Sequence, residues 1–218
     1  MKQPQTFIFI GRSGCGKGTQ AELLKEHLIK QDKIAIEAME KETGEVVAPE
    51  NQTSVYYLET GLHFRSFMSE KGSSNKLASE VSALGNRQPD FLAIWMWSNL
   101  LIREFNPKDQ LIIDGSPRSH EEAVILDTAM RFYKREMPFV VYLDVSREWS
   151  RKHLLSRGRE DDIDIAMIEK RLDWYQRDVI PAINYFKENE NYHFLHINGE
   201  QPVEKVQRDL INEINSRI

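Results

Sequence analysis

Short apolar runs recur along the chain, and longer segments of mixed apolar and polar residues separate them. A continuous apolar run bounded by turn residues is typical of a strand that is buried on both faces of a sheet. The predicted strands cover residues 7–10, 55–58, 111–113, 139–145 and 193–197. Because parallel sheets bury their strands in this way, the pattern favours a parallel sheet.

Between these runs, apolar residues recur three or four positions apart, as Ala21, Leu24 and Leu28 do. This spacing predicts amphipathic helices that pack one face on the sheet. The predicted helices cover residues 21–31, 60–68, 76–84, 91–105, 121–134, 149–156, 166–189 with a break near Pro181, and 203 onward. Residues 34–47 alternate instead and contain a turn signal at Gly44, so they predict a small hairpin.

The predicted helix over residues 91–105 is rich in large apolar side chains. Its expected buried face comprises Ile94, Trp95, Leu101, Ile102 and Phe105. We expect the tryptophans of this helix to lie in the core, because large side chains at helical spacing usually pack there rather than stack on a nucleotide base.

The alternation of strands and helices predicts a three-layer α/β/α fold with a doubly wound, five-stranded parallel sheet. In such folds, ligands bind at the carboxyl ends of the strands. The 218 residues are 40% hydrophobic and contain no Ser-, Gly- or Pro-rich linker, so we expect a single domain over residues 1–218.

The net charge and the amino-acid composition limit the binding partners and metal sites that the chain can have. The formal net charge of −5 argues against nucleic acid or an anionic membrane as the main partner. No apolar run has the length of a membrane span and no signal peptide is recognised, so a cytoplasmic protein is expected. Cys15 is the only cysteine, which excludes an intramolecular disulfide and a multi-cysteine zinc site, and the histidines lack metal-ligand spacing.

The segment from Gly11 to Gln20, GRSGCGKGTQ, lies between the first predicted strand and the first predicted helix. Its glycines at positions 11, 14 and 16 let successive backbone N–H groups face one anion. The helix that follows adds the positive end of its dipole, and Lys17 adds a mobile charge for β- and γ-phosphates. The segment therefore predicts a phosphate-binding P-loop. Within it, Cys15 is better explained as a small space-filling residue than as a reactive thiolate.

Asp114 follows the strand at 111–113, at the sheet edge where the P-loop is expected. An aspartate in this position can hold Mg²⁺ through a water molecule in the coordination shell. The alternative is a turn or helix-capping carboxylate. The arginines and acids between residues 157 and 171 also allow two interpretations. They form either a functional cluster or a solvated surface of ion pairs, which is common for such sequences.

Four motifs resemble those of the adenylate kinase family of nucleoside monophosphate kinases. They are GKGT at 16–19, Thr60-Gly61 with Arg65 as TGxxxR, DGSPR at 114–118 as DGxPR, and REDD at 159–162 as R-x-D-D. The resemblance covers nearly the whole chain and implies an ATP- and Mg²⁺-dependent kinase without zinc. It also implies a small helical insertion that binds the monophosphate, about 59–89, and a lid reduced to a turn, about 157–163, since only Gly158 separates Arg157 from Arg159.

The resemblance assigns the donor site to residues at both ends of the chain. Its ATP-binding residues are Gly11, Ser13, Gly14, Cys15, Gly16, Lys17, Gly18, Thr19, His153, Arg157 and Gln201. His153 stands where relatives usually present an arginine that stacks on the donor adenine, and the backbone of Gln201 would touch the same base.

The acceptor site follows from the same resemblance. Its monophosphate-binding residues are Thr60, Gly61, Arg65, Asn86, Arg87, Gln88, Gly115, Arg118, Glu122, Arg159 and Arg171. Leu62 replaces the usual aspartate of the TGxxxR segment, and Ser116 replaces the usual aromatic residue of DGxPR.

The implied catalytic residues are all cations: Lys17, Arg118, Arg157, Arg159 and Arg171. Several preorganised guanidinium groups can neutralise the charge that spreads over a transferring phosphoryl group. The expected reaction is reversible transfer of the ATP γ-phosphoryl group to AMP, giving two ADP, by a monomer.

Other functions remain open at this point. They are a nucleoside monophosphate kinase for GMP or for several bases, another small-molecule kinase with the same P-loop, and a nucleotide switch without enzymatic activity. A guanine-binding switch normally carries an Asn-Lys-x-Asp segment, and the nearest approach, NKLA at 75–78, lacks the aspartate.

Glu122 stands where adenylate kinases usually place a glutamine that binds adenine. An ionised carboxylate only accepts hydrogen bonds, so it suits guanine better than adenine. Three alternatives follow: Glu122 is protonated or turned away and AMP is the acceptor, Glu122 selects GMP, or Glu121 and Glu122 merely begin a helix.

Overall fold

The computed structural model describes residues 4–44, 46–47, 54–156, 158 and 164–218. Its strands are β1 (Thr6–Gly11), β2 (Val55–Glu59), β3 (Gln110–Asp114), β4 (Phe139–Asp144) and β5 (His193–Asn198). Its helices are α1 (Lys17–Thr43), α2 (Thr60–Ser69), α3 (Ser73–Ala83), α4 (Asp90–Glu104), α5 (His120–Phe132), α6 (Arg147–Ser156), α7 (Ile165–Trp174), α8 (Ile180–Lys187) and α9 (Val203–Asn215). A π-helical turn, Tyr175–Val179, joins α7 to α8.

The five strands form one parallel sheet in the order β2-β3-β1-β4-β5. Strand β1 lies in the centre, and its Phe9 pairs with Asp114 at the end of β3. The P-loop that follows β1 and the DGSPR segment that follows β3 therefore leave the sheet side by side. The predicted parallel α/β fold is confirmed.

Alternate residues of β1 enter two cores on opposite faces of the sheet. Phe7 and Phe9 pack in a cluster that includes Leu24 of α1 and residues of α9. Ile8 and Ile10 pack in the other cluster, with residues of α4, α5 and α8. Burial on both faces explains why the strands are continuous apolar runs.

The predicted hairpin over residues 34–47 is wrong, because α1 continues to Thr43. Gly44, which looked like a hairpin turn, ends the helix in the left-handed conformation (φ 73°) and donates its N–H to the Glu40 carbonyl. Ile34 and Met39 are about half exposed. The Ala, Glu, Lys and Met residues of this segment favour helix by intrinsic propensity. Because the segment is largely exposed, this propensity rather than core packing determines its secondary structure.

The predicted buried face of α4 is partly wrong. Trp95 and Ile102 are 47% and 75% exposed, whereas Trp97 is 1% exposed and belongs to the core. The buried residues of α4 are Leu92, Ala93, Met96, Trp97, Leu100 and Leu101. Two faces of this helix carry apolar residues. The spacing of apolar residues therefore did not distinguish the buried face from the exposed one, and the predicted set contained residues of both.

The helix predicted over residues 166–189 is interrupted six residues before Pro181, at Tyr175. There the Ile180 N–H donates to the Tyr175 carbonyl, five residues back, as in a π-helix. Pro181 then lies in the first turn of α8, where a missing backbone N–H costs no hydrogen bond. No helix in the described ranges is long and apolar enough to span a membrane.

Candidate active site

Glycines in left-handed conformations build the P-loop between β1 and α1. Gly14 and Gly16 have φ angles of 80° and 91°. A Cβ atom on Gly14 would lie 2.9 Å from the Ser150 carbonyl oxygen, so α6 packs directly on the loop backbone. The first N–H groups of α1 follow at once, and such a helix start binds anions.

Lys17 rests on the carbonyl groups of its own loop. Its Nζ atom donates to the carbonyl oxygens of Gly11 and Arg12, each at 2.9 Å, and lies 3.5 Å from the Cys15 Sγ atom. The ammonium group is therefore held above the loop by neutral acceptors. A phosphate can take their place because a charged acceptor binds an ammonium group more strongly.

Asp114 ends β3 and faces the beginning of α1. Its carboxylate is 8% exposed, and its Oδ2 atom accepts a hydrogen bond from the Tyr57 hydroxyl at 3.3 Å. Burial raises the pKa of this carboxyl group, while Lys17 and Arg118 act against the rise. A Cβ atom on Gly18 would lie 3.2 Å from Oδ2, so the glycine after Lys17 lets the helix pass close to the carboxylate.

This donor set fits Mg²⁺ bound together with a nucleotide. Asp114 and Thr19 line the same cleft and offer one carboxylate and one hydroxyl group. Mg²⁺ at phosphate sites takes one or two protein ligands and completes its shell with phosphate oxygens and water. Among the described residues no group of three or more His, Cys, Asp or Glu side chains could hold a metal ion by itself.

A single cleft of about 670 Å³ lies beside the P-loop and receives most of the residues that the sequence singled out. From the donor set it is lined by Ser13, Gly14, Gly16, Lys17, Gly18, Thr19 and His153, with Asp114. From the acceptor set it is lined by Thr60, Gly61, Arg65, Asn86, Arg87, Gln88, Gly115, Arg118, Glu122 and Arg171.

Three of the predicted site residues that the structure describes are not part of this lining. Gly11 lies deeper, at a small adjoining cavity, and the Cys15 side chain packs in the core beneath the loop. Gln201 lies after β5, and its side chain donates to the Asn198 carbonyl and to Asp209. Arg157 and Arg159 lie outside the described residues.

The acceptor half of the cleft begins at α2. Thr60 is 1% exposed, and its Oγ1 atom is buried with no hydrogen-bond partner in the described part of the chain. Arg65 pairs with Glu59 at 3.0 Å. Arg118 donates from Nε to the Gly115 carbonyl at 2.7 Å, and burial lowers the pKa of its guanidinium group.

Glu122 lies at the floor of this half, in the first turn of α5, with only 1% of its side chain exposed. Its Oε1 atom accepts from Arg87 Nη1 at 3.3 Å, whereas its Oε2 atom is buried and unpartnered among the described residues. Burial raises the pKa of the carboxyl group, and the charges of Arg118 and Arg87 oppose that effect.

Comparison with known proteins agrees with this geometry. The model of the AAA domain family matches residues 10–169. The chain is 30% identical over 203 residues to adenylate kinase 1 of Nostoc sp., and the alignment covers 93% of this chain and 95% of that relative. The chain belongs to the adenylate kinase family.

Further relatives support the same conclusion. Adenylate kinases of Synechococcus sp. and Flavobacterium psychrophilum are 30% and 27% identical to the chain. Those alignments cover 93% and 96% of this chain, and 92% and 97% of the relatives. The chain therefore matches these adenylate kinases from end to end rather than through the P-loop alone.

At two positions where the chain departs from the usual motifs of the adenylate kinase family, the structure shows what the new side chain does. Leu62 is 52% exposed on α2 and does not line the cleft. His153 stacks on Trp149, with ring centroids 4.4 Å apart and planes inclined by 26°, and its Nδ1 atom lies 3.0 Å from the Trp149 carbonyl oxygen. An aromatic pair thus stands at the position where the sequence analysis expected a contact with the donor adenine.

Sequence reasoning missed several residues of the cleft. Trp174 lines it and has a buried, unpartnered Nε1 atom within the described structure, and the sequence analysis assigned it no role. Trp174 follows Arg171 by three positions, so both lie on one helix face, and that spacing could have identified it. The guanidinium group of Arg12 lies 3.9 Å from the ring centroid of Tyr175, which ties the P-loop to the π-helical turn.

Proposed function

We propose that the chain catalyses reversible transfer of the γ-phosphoryl group of ATP to AMP, giving two ADP. The observation that carries the proposal is the single cleft in which a P-loop with Lys17 meets an acceptor half containing Thr60, Arg118 and Glu122. A nucleotide switch needs one nucleotide site, whereas this cleft has polar groups for two. Membership of the adenylate kinase family supports the same reaction.

In the proposed reaction, the N–H groups of the P-loop and of the first turn of α1 bind the β- and γ-phosphates of ATP. Lys17 exchanges the carbonyl groups of Gly11 and Arg12 for phosphate oxygens. Mg²⁺, when bound through Asp114 and Thr19, supplies positive charge that neutralises the phosphates.

The acceptor phosphate binds among arginines. Arg65 exchanges its pairing with Glu59 for that phosphate, and Arg118 holds it from the DGSPR segment. In this proposal, Arg171 stabilises the negative charge that develops on the transferring phosphoryl group, together with Arg157 and Arg159. A phosphate oxygen of AMP is already ionised, so the attack on the γ-phosphorus needs no general base and depends on positioning and charge stabilisation.

Replacement of Lys17 by methionine tests the proposal. We expect Lys17→Met to lower kcat by about 10²-fold or more, because it removes a cation that stabilises phosphoryl charge in a preorganised site. The assay measures ATP-dependent conversion of AMP, GMP, CMP, UMP and dTMP to diphosphates, and circular dichroism checks the fold.

Lys33→Met is the matched control, since Lys33 lies on the same helix with 77% of its side chain exposed. This control should retain wild-type turnover. A folded Lys17→Met protein with wild-type turnover would contradict the assignment of the P-loop. A wild-type protein that phosphorylates none of the five nucleotides would contradict the proposed function. GMP is the second candidate acceptor because of Glu122.

A further inference from the structure

The acceptor half of the cleft contains buried polar atoms that nothing in the described chain satisfies. They include Glu122 Oε2 and Gln88 Oε1, as well as the hydroxyl of Thr60. The Gln88 amide donates its Nε2 to the Ala78 carbonyl at 2.8 Å, which fixes its orientation and leaves Oε1 as an acceptor. Buried polar atoms are normally hydrogen-bonded, and Glu122, Gln88 and Thr60 all line the cleft, so a ligand bound there can supply the hydrogen bonds that these atoms lack.

Two of these atoms accept hydrogen bonds only, provided that Glu122 is ionised. The edge of adenine that carries N1 and N6 offers one donor group, the N6 amino group, beside the N1 lone pair. The corresponding edge of guanine offers two neighbouring donors, N1–H and the N2 amino group. A carboxylate can therefore accept two hydrogen bonds from guanine but would face the N1 lone pair of adenine with one of its oxygens.

Arg87 is the residue that positions Glu122. Its guanidinium group is bidentate on Asp90, at 2.6 and 3.2 Å, and also contacts Asp178 at 3.4 Å. This clamp fixes the guanidinium group 3.3 Å from Glu122 Oε1, and the second carboxylate oxygen has no hydrogen-bond partner among the described residues. The positive charge of Arg87 also favours the ionised form of Glu122.

We propose that Glu122 contacts the base of the acceptor nucleotide and extends the proposed acceptor range from AMP to GMP, with Arg87 as its positioning residue. This inference rests on the proposed function, because it assumes that the acceptor half holds a nucleoside monophosphate. An amide at this position could both donate to adenine N1 and accept from N6, whereas the Glu122 carboxylate favours guanine.

The test compares kcat/KM for AMP and GMP in the wild type and in Glu122→Gln. The wild type should phosphorylate both nucleotides, and Glu122→Gln should raise the AMP-to-GMP ratio of kcat/KM by about tenfold or more. Glu121→Gln removes the same charge from the same helix turn at an exposed position, so it should leave the ratio unchanged. An unchanged ratio in folded Glu122→Gln, or a wild type that uses AMP but not GMP, would overturn the proposal.

A pH series separates base contact from a structural role. The charged groups that face Glu122 or its clamp lie just before α4 and at its start, just before α5 and in the π-helical turn: Arg87, Asp90, Arg118, Arg177 and Asp178. Protonation lets Glu122 donate to adenine N1. The AMP-to-GMP ratio should therefore rise as the pH falls through the pKa of Glu122, whereas a purely structural glutamate would leave the ratio constant.

Two variants complete the pH series. Glu122→Gln should abolish the pH dependence of the ratio. Arg87→Met should move its midpoint to higher pH, while Arg87→Lys, which keeps the charge, should move it less. Titration of the acceptor phosphate is common to both nucleotides and cancels in the ratio.

Equilibrium binding distinguishes failure of this inference from failure of the proposed function. AMP and GMP affinities of the wild type and of Glu122→Gln are measured by calorimetry without ATP. A shift of the affinity ratio toward AMP in Glu122→Gln supports the base contact even if no phosphoryl transfer is detected. An unchanged affinity ratio contradicts it even if the enzyme is active.

Discussion

The burial of the Asp114 and Glu122 carboxyl groups in the cleft lowers the stability of the folded protein. Burial raises the pKa of both carboxyl groups above the ordinary value. A raised pKa in the folded state means that the native protein binds more protons than the unfolded chain, so stability falls as the pH rises. The destabilisation caused by each buried carboxyl group is absent below its pKa in the unfolded chain and is complete above its pKa in the folded protein. Sites that bind charged ligands often carry this kind of cost.

We therefore expect Asp114→Asn to raise stability while it lowers activity. The free energy of unfolding should increase by about 1 kcal/mol at pH 8, or about 2–4 °C in Tm for a chain of this size. The gain should shrink as the pH falls and vanish below the unfolded pKa of 3.8, where the wild-type carboxyl group is protonated in both states. Urea titrations of both proteins at several pH values measure the difference, and a gain that does not depend on pH would contradict the electrostatic origin.

Individual site residues were predictable to different degrees. Glycines, Lys17 and Asp114 carry a local signature, because a backbone cradle and a strand-end carboxylate follow from neighbouring residues. The clamp of Arg87 by Asp90 and Asp178 was not predictable, since it joins positions 91 residues apart. Trp174 was missed because an aromatic residue at helical spacing fits a core position equally well.

At the level of elements, helix α1 has two different halves. Its buried residues are Gln20, Ala21 and Leu24, all near the P-loop. The half beyond residue 33 is mainly exposed and has few core contacts to hold it. Segments of this kind open locally without unfolding the rest of the protein.

Glycine substitutions in the two halves test this difference. Ala38→Gly and Ala21→Gly carry the same intrinsic penalty of about 1 kcal/mol. Ala21→Gly, at a fully buried position, should lower the global free energy of unfolding by at least that amount. Ala38→Gly should leave global unfolding nearly unchanged and speed hydrogen exchange only in the distal half of α1. Equal effects of both substitutions on urea unfolding would show that α1 unfolds as one unit.

The elements of the sheet were predictable because burial on both faces gives each strand a continuous apolar run. Element boundaries in exposed regions were not, as the end of α1 shows. There, a glycine that caps a helix and a glycine that turns a hairpin have the same sequence signature. The π-helical turn at Tyr175 depends on tertiary contacts such as that with Arg12, so no local pattern indicates it.

For the whole molecule, the sheet order places the two halves of the cleft on neighbouring strands. The P-loop follows β1, and the segments with Thr60 and Arg118 follow β2 and β3. The sequence predicts a lid of only a turn over this cleft, because one residue, Gly158, separates Arg157 from Arg159. A lid of the usual kind excludes water during phosphoryl transfer.

We therefore expect ATP hydrolysis in the absence of an acceptor nucleotide. The rate should exceed that of a relative with a long lid measured in parallel, because water reaches the γ-phosphate more easily. Release of inorganic phosphate measures it, and Lys17→Met should abolish it, which excludes a contaminating ATPase. Hydrolysis no faster than in the relative would contradict the prediction.

The length of α1 has a mechanical consequence. Its 27 residues span about 40 Å, and they begin at Lys17, the residue proposed to bind phosphate. A tilt of about 5° at the P-loop displaces the far end by about 3.5 Å over that length. The helix therefore amplifies a small tilt at the P-loop into a larger displacement of its far end. A spin label at the exposed position of Met39 would report a small rearrangement around the nucleotide as a measurable change in distance.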